Sequence, residues 1–493
     1  MSRRGFCATG SPPLCARSRL WFNLLHGRRC RWAGPPYRGG LSITTATASA
    51  AAFPPRAAAR KITLVPLIAA TYFLVAGGPF GLEDIVGKAG YAGAILILLI
   101  TPLLWSLPTA LMVSELASAL PDDGGYYVWV TRAMGRFWGF QEAWLSLAGS
   151  LFDMAIYPTL FVEYLGHFAP ALTAHGRGLW IGVALVAACA AWNLLGARSV
   201  GLSSVVLSAV LLGPFVVLTL YALFQRASSA AAPVPLGRID ILGGVLVAMW
   251  NYMGWDNSST IAGEVDRPRR TYPLAMSIAV LLVALTYVVP IGAVALTGLD
   301  ANRWSTGGWA DVARAVIHNP AAGAALAAAI TTGGMVGAAG TLNALTMALS
   351  RVPAAMAEDG YLPKAFAKRR PKTGAPWVAI GACSAAWAVC LGLPFVKLIV
   401  LDVLLTGFSI LLEFAALVAL RIREPHLPRP YRVPGGLAGA AAIGAPPLAL
   451  LVLAVVRNQA EPVGPINALQ FGGLIIALGV ALYFAMRRGA IAG

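Results

Sequence analysis

Charge is what this chain of 493 residues has least of. Only 12% of its residues are Asp, Glu, Lys or Arg, against 58% hydrophobic, and the mean hydropathy is +0.72. A water-soluble domain needs more charge than this to cover its surface, so the chain is read as one solvated by lipid. Acidic residues are the scarcer sign, 20 against 37 Lys and Arg. The basic excess lies in short stretches between apolar runs, which makes it a topology signal and argues against a nucleic-acid surface. Cysteine is also sparse. Cys7, Cys15 and Cys30 precede the first apolar run, while Cys189, Cys383 and Cys390 lie inside apolar segments. With no CxxC, neither a zinc site nor a disulfide framework is suggested. No GxxxxGK loop occurs, which argues against ATP-driven transport by this chain alone. No metal and no cofactor is expected.

Residues 1–60 are rich in Arg, Ser, Pro and Ala, and the first acidic residue of the chain is Glu83. This composition fits an organellar transit peptide, a disordered cytoplasmic tail or a misassigned start. From Ile62 onward, apolar stretches of about 20 residues recur, the length an α-helix needs to cross a bilayer. Spans are expected near 62–86, 90–118, 137–166, 178–195, 199–224, 239–262, 273–297, 323–349, 376–393, 396–420, 437–456 and 466–486. Backbone groups in lipid must be paired internally, so these are helices, and runs this long do not suit an alternating β-barrel. The expected fold is an all-α integral membrane protein of about 12 transmembrane helices. With the amino terminus inside, the cytoplasmic connections collect most of the Lys and Arg, including Arg267, Arg269, Arg270, Arg351, Lys368, Arg369 and Arg370. That bias places both termini in the cytoplasm.

Two spans are interrupted. The first contains Gly77-Gly78-Pro79-Phe80-Gly81, and three glycines and a proline in five residues cannot hold a regular helix. The sixth contains Trp250-Asn251-Tyr252-Met253-Gly254-Trp255-Asp256-Asn257. Irregular backbone at membrane depth is tolerated where it lines a cavity or is buried in protein. Spans one and six hold corresponding places in two halves of five, and paired interruptions of this kind point to a transporter binding site.

Several motifs carry a family resemblance. They are the Gly77–Asp84 run GGPFGLED, Ser114-Glu115-Leu116 with Leu120-Pro121-Asp122-Asp123-Gly124-Gly125-Tyr126, Phe137-Trp138-Gly139-Phe140-Gln141, and Met356-Ala357-Glu358-Asp359-Gly360-Tyr361-Leu362-Pro363-Lys364. Together they resemble the amino acid–polyamine–organocation transporter superfamily from about Lys61 to Arg488. GGPFGLED, DMAIYPTLFVEY (Asp153–Tyr164) and GWDNSSTIAGEV (Gly254–Val265) look most like the polyamine uptake transporters of plants and protozoa. The resemblance implies a ten-helix inverted-repeat core over 61–420, with broken helices 1 and 6, two further helices and a short tail over 421–493, and alternating access. For the polyamine branch it implies proton-coupled uptake.

Ionisable groups inside a membrane are expensive and usually functional. Those within or beside the spans are Glu83, Asp84, Glu115, Glu142, Asp153, Glu163, Asp256, Glu264, Asp402 and Glu413, with almost no Lys or Arg at the same depth. A cavity lined by carboxylates without basic partners attracts cations. Asp153, Tyr157, Leu160 and Tyr164 share one helix stripe, with Glu163 roughly 80° away. At the first break Pro79 removes a backbone donor and Glu83 adds negative charge, so capture of a substrate carboxylate is weakened. The expected substrate-binding residues are Gly77, Gly78, Pro79, Phe80, Glu83, Asp153, Tyr157, Asn251, Trp255 and Asp256. Glu115, Glu163, Glu264 and Glu413 are gating or coupling candidates, Glu264 near Arg267, Arg269 and Arg270; the roles of Asp402 and Glu413 stay open, since spacing does not support a proton relay.

The expected function is import of a small cationic amine of the putrescine and spermidine class, with the proton as coupling ion, in the plasma membrane or an organellar one. The alternative is an amino acid permease of the same superfamily for neutral or cationic substrates. A nutrient sensor would need a structured cytoplasmic domain, and none is evident; an intramembrane enzyme would need two carboxylates set together, and no motif does so.

Overall fold

In a computed structural model, residues 61–226, 241–305, 307–393, 395–458, 462–463 and 465–491 are described. The tail 1–60 lies outside them. Apolar composition dictates the architecture: with no water to satisfy the backbone, nearly every segment pairs its N–H and C=O groups within helices. In chain order these are α1 (Leu64–Val75), α2 (Glu83–Ala119), α3 (Tyr126–Met134), α4 (Arg136–Phe168), α5 (Arg177–Asn193), α6 (Ala197–Arg226) and α7 (Ile241–Asn251). There follow α8 (Pro268–Ala295), α9 (Trp309–Val316), α10 (Pro320–Leu349), α11 (Trp377–Val389), α12 (Phe395–Arg423), α13 (Gly436–Arg457) and α14 (Ala468–Ile491). Among the described residues, eight helices are long and apolar enough to cross a membrane: α2, α4, α6, α8, α10, α12, α13 and α14. The chain is an all-helical integral membrane protein. Each span expected from the sequence overlaps one of these helices, but α1 and α7 end well before the expected limits at 86 and 262, and α1, α5 and α11 are shorter apolar helices outside the eight.

Three features differ from the sequence reading. The expected gap between spans one and two is a kink inside α2, where Gly90 takes φ +66° in an otherwise continuous rod. The second half of span six does not resume as an α-helix. After Asn251 the chain makes two 3-10 turns, Asp256–Thr260 and Ala262–Glu264, because the polar run DNSST bonds its hydroxyls to nearby carbonyls instead of continuing the helix. Two amphipathic helices, α3 and α9, lie in connections that the hydropathy pattern leaves as loops.

At the centre, α1, α4, α10 and α12 pack together, with α4 against both α10 and α12. Close approach is made by small residues. A Cβ on Gly337 of α10 would sit 2.3 Å from the Gly77 carbonyl oxygen, and one on Gly340 would sit 2.6 Å from the Phe73 ring. Helix α10 thus runs against the first break with almost no side chain between them. The second break meets α1 as closely: Gly254 has φ +94°, and a Cβ there would lie 2.2 Å from the Leu74 carbonyl oxygen.

One end of the molecule carries most of the ion pairs among the described residues. Arg351 donates to Glu264 (3.0 Å), Arg369 pairs with Asp123 (3.1 Å), and the backbone of Ile62 exchanges hydrogen bonds with Glu264 (2.9 Å) and Asp266 (2.8 Å). Glu115, fully buried at the end of α2, is held by Arg421 (3.0 Å), Arg429 (3.2 Å) and the Val433 N–H (2.7 Å), which fastens the segment after α12 to the core. At the surface of the same end, Arg132 forks onto Glu424 (2.9 and 2.7 Å) and holds that carboxyl below its ordinary range.

The contact between Gly254 and Leu74 sets an expectation. Gly254→Ala adds a side chain where the backbone forbids one and should cost about 2 kcal/mol or more, seen as a lower Tm in detergent. Gly292→Ala, where an added Cβ meets nothing within 4 Å, should leave Tm unchanged or slightly raised.

Candidate functional site

Both breaks open onto cavities. The first, of about 30 Å³, is lined among others by Leu74 and Val75 at the end of α1, Ser146, Ser150, Asp153 and Tyr157 of α4, Trp250, Gly254 and Asp256 of the second break, and Asp402 and Thr406 of α12. The second, also of about 30 Å³, is lined by Val75, Gly77, Phe80, Tyr157, Leu160, Tyr164, Trp250, Asn251, Gly334, Ala338 and Thr341. Val75, Tyr157 and Trp250 belong to both. The Tyr157 and Trp250 rings are stacked with centroids 6.5 Å apart, so this aromatic pair forms the partition between a carboxylate-lined chamber and a nearly uncharged one.

The acidic chamber is built from helix periodicity. Asp153 and Tyr157 lie one turn apart on α4, and the Tyr157 hydroxyl donates to Asp153 Oδ1 (2.7 Å). Asp402 accepts from Thr406 Oγ1 (2.8 Å) one turn along α12. Gly149 lets α12 approach: a Cβ there would meet Thr406 Oγ1 at 2.7 Å and Asp402 Oδ1 at 3.5 Å. Asp256 enters from the first 3-10 turn after the break, is buried, and leaves Oδ1 without a hydrogen-bond partner. No Lys or Arg is among the residues lining either cavity. Three carboxylates without a basic counter-charge, beside two aromatic rings, form an electrostatic sink for a cation with an apolar body.

The exposed carbonyls of the breaks are taken up by side chains from neighbouring helices. Tyr287 donates to the Asn251 carbonyl (2.8 Å), Tyr272 to Ser258 (2.6 Å) and Trp309 to Pro79 (2.7 Å), while Thr260 of the second break donates to the Ala348 carbonyl of α10 (2.9 Å). Trp309 also belongs to an aromatic chain, Tyr164–Phe80–Phe215–Trp309, with successive centroids 5.2, 5.2 and 4.9 Å apart, which continues through Trp304 and whose Tyr164 and Phe80 line the second chamber.

Of the residues expected to bind substrate, Asp153, Tyr157 and Asp256 meet in the first chamber, and Gly77, Phe80, Tyr157 and Asn251 in the second. Gly78, Pro79, Glu83 and Trp255 line neither. Glu83 is fully buried at the start of α2. Trp255 is fully buried and its indole donates to the Tyr252 carbonyl (2.8 Å), so it props the break, and the wall position belongs to Trp250. Glu163 is exposed at residue level, off the stripe as its angle requires. Glu115 is neutralised by arginines, and Glu264 pairs with Arg351 and not with Arg267, Arg269 or Arg270. Asp402 is the site residue the sequence reading left open, and Trp250 the aromatic it passed over for Trp255. The signal for Asp402 was a carboxylate deep in an apolar span with no basic neighbour.

A bundle of apolar helices interrupted around a polar chamber defines a membrane transporter and not an enzyme. The chain belongs to the amino acid permease family, whose family model matches residues 68–480. Among its relatives, one from Arabidopsis thaliana described as a probable polyamine transporter is 38% identical over 86% of this chain and 86% of its own length. The polyamine transporter PUT1 of Oryza sativa subsp. japonica is 34% identical over 88% and 80%, and the polyamine transporter RMV1 of Arabidopsis thaliana 35% over 83% and 84%.

The Tyr157–Asp153 bond also fixes an expectation for stability. Asp153→Leu strands the Tyr157 hydroxyl and should cost about 1–3 kcal/mol. Asp153→Asn keeps an acceptor of the same shape and should melt near the wild type; thermal unfolding in detergent distinguishes the two.

Proposed function

We propose that this chain is a secondary transporter that imports polyamines of the putrescine and spermidine class by proton symport with alternating access. The observation that carries the reading is the first chamber: Asp153, Asp256 and Asp402 line it with Tyr157 and Trp250 and no basic residue. A terminal ammonium binds among the carboxylates, where charge-assisted hydrogen bonds are strongest, and the methylene stem lies along the aromatic partition. A substrate carboxylate would meet three like charges there. The names of the three plant relatives favour the same substrate class.

The remaining parts of the proposal follow from the family and the charge pattern. The helices form twelve spans, ten of them an inverted-repeat core over 61–420 with α1 and α7 its broken members, and two more over 421–493. The ion-paired end faces the cytoplasm, a reading the Lys and Arg bias supports, and both termini lie on that side. The Glu264–Arg351 and Asp123–Arg369 pairs form the inner gate, and the Phe80–Phe215–Trp309 stack the outer one. The plasma membrane is the site of action; an Arg-rich tail over 1–60 leaves an organellar membrane as the alternative address.

Proteoliposomes with an imposed inward proton gradient test this. Radiolabelled putrescine and spermidine should accumulate saturably, and a protonophore should abolish the accumulation; leucine and arginine should not accumulate. Asp153→Asn should weaken amine binding by about 10- to 100-fold, the loss of one charge-assisted contact. Amino acid uptake without polyamine uptake would instead identify an amino acid permease of the same superfamily.

A further inference from the structure

The mechanism above uses the carboxylates that line the first chamber, but two more lie just behind it. Glu142 of α4 and Glu413 of α12 are both fully buried. Helices α4 and α12 run antiparallel: Arg132, just before α4, meets Glu424, just after α12; further along, Ser146 meets Ser409 and Gly149 faces Thr406. Their polar residues follow mirrored spacings. On α4, Glu142 precedes Ser146 by four residues and Asp153 follows it by seven; on α12, Glu413 follows Ser409 by four and Asp402 precedes it by seven. Antiparallel packing through the serine pair therefore stacks two acidic layers, Asp153 with Asp402 at the chamber and Glu142 with Glu413 about three helical turns nearer the ion-paired end, about one turn beyond the serines.

The serines join the layers. Ser146 and Ser409 hydroxyls are 2.7 Å apart, and both reach Glu142 Oε1, Ser146 at 3.3 Å and Ser409 in a shorter bond. Ser146 also lines the first chamber. The other oxygen of Glu142 and both oxygens of Glu413 have no hydrogen-bond partner, and neither does the buried Tyr126 hydroxyl contributed by α3. The charged groups that act on Glu413 are Asp256 and Glu142, both acidic. Glu115, at the ion-paired end of α2, is compensated by Arg421 and Arg429 and belongs to a separate cluster.

A buried carboxylate without a cation costs several kcal/mol, and a buried pair cannot both be ionised. The cation that fits is small. Among the described residues no three Asp, Glu, His or Cys side chains are arranged to hold a metal ion. We propose that the Glu142–Glu413 pair is a dedicated proton site, distinct from the amine site, and that the Ser146–Ser409 hydroxyls couple it to the chamber. The proton is held on a carboxyl oxygen of the pair while the transporter faces outward and is released to water from that oxygen once the ion-paired end opens. Filling of the amine site biases that release through Ser146, whose hydroxyl is shared between the chamber wall and Glu142. The amine arm of this inference rests on the transport reading above.

The test compares the wild-type protein with Glu413→Gln and Glu142→Gln in lipid nanodiscs and proteoliposomes; Ser409→Ala serves as a third variant should either glutamine form fail to elute as a single species. Glu413→Gln should bind spermidine within about threefold of wild type and exchange it across the membrane. Its gradient-driven accumulation should fall at least tenfold, and the rate of exchange should lose its dependence on pH. Spermidine binding weakened as far as in Asp153→Asn would overturn the proposal by making the pair part of the amine site. Undiminished gradient-driven accumulation would overturn it as well. A substrate-free arm separates the two readings. Infrared titration should show a buried carboxylic-acid band in the wild type that Glu413→Gln removes or shifts, whether or not any amine is carried, and an identical band in both proteins would sink the proton site. Failure of the wild type to bind any amine, with the infrared difference intact, would refute the transport reading and leave the proton site standing.

Discussion

An unpaired backbone carbonyl or amide in hydrocarbon costs several kcal/mol, and the rest of this structure is arranged around two places where the backbone stops pairing with itself. Helix α1 ends at Val75 and α7 at Asn251, both inside the bundle. Three of the loose carbonyls are collected by residues from elsewhere: Pro79 by Trp309, Asn251 by Tyr287, Ser258 by Tyr272. The glycines of α10 and Gly254 let the two breaks and their supports close to backbone contact. A cavity at that depth is stable only because its irregular walls are satisfied from behind.

The same economy governs charge. Carboxylates in this chain sort into two populations. Those at the ion-paired end, Glu115, Asp123 and Glu264, each have an arginine within about 3 Å and lock elements together. Those further in, Asp153, Asp256, Asp402, Glu142 and Glu413, have no Lys or Arg partner among the described residues. A buried pair with arginine is a fastener, whereas a buried carboxylate with no cation of its own is a site waiting for one that moves. In the proposed transport cycle, the aromatic stack on one side of the chamber and the ion pairs on the other would give each face a gate of different chemistry.

Much of this was legible in the sequence because lipid imposes strict lengths. Long apolar runs marked helices α4, α6, α8, α10, α12 and α14, and the two glycine-containing interruptions marked the breaks. The stripe Asp153–Tyr157–Leu160–Tyr164 follows from helix geometry alone, and all four residues reach one cavity or the other. What was not legible depended on the packing of separate helices. Asp402 sits 249 positions from Asp153, and only the glycine at 149 brings α12 close enough to place them together. The mirrored spacing of Glu142, Ser146 and Asp153 against Asp402, Ser409 and Glu413 is present in the sequence, but it means nothing until two helices are known to pack antiparallel. Trp255 was expected at the site and Trp250 was not, and the choice between them depends on which way the chain turns after a break that no periodicity describes. The 3-10 turns after Asn251 were hidden for the same reason.

The central claim is that the chamber between α4, α12 and the two breaks holds an amine by its charge. Cryo-electron microscopy of the protein with spermidine in nanodiscs tests it most directly. Elongated density should occupy the first chamber, with one end against Asp153, Asp256 and Asp402 and its body along Tyr157 and Trp250. Ligand density whose polar end instead rests on the backbone of Gly77 and Gly78, or a chamber that stays empty at saturating spermidine, would contradict it.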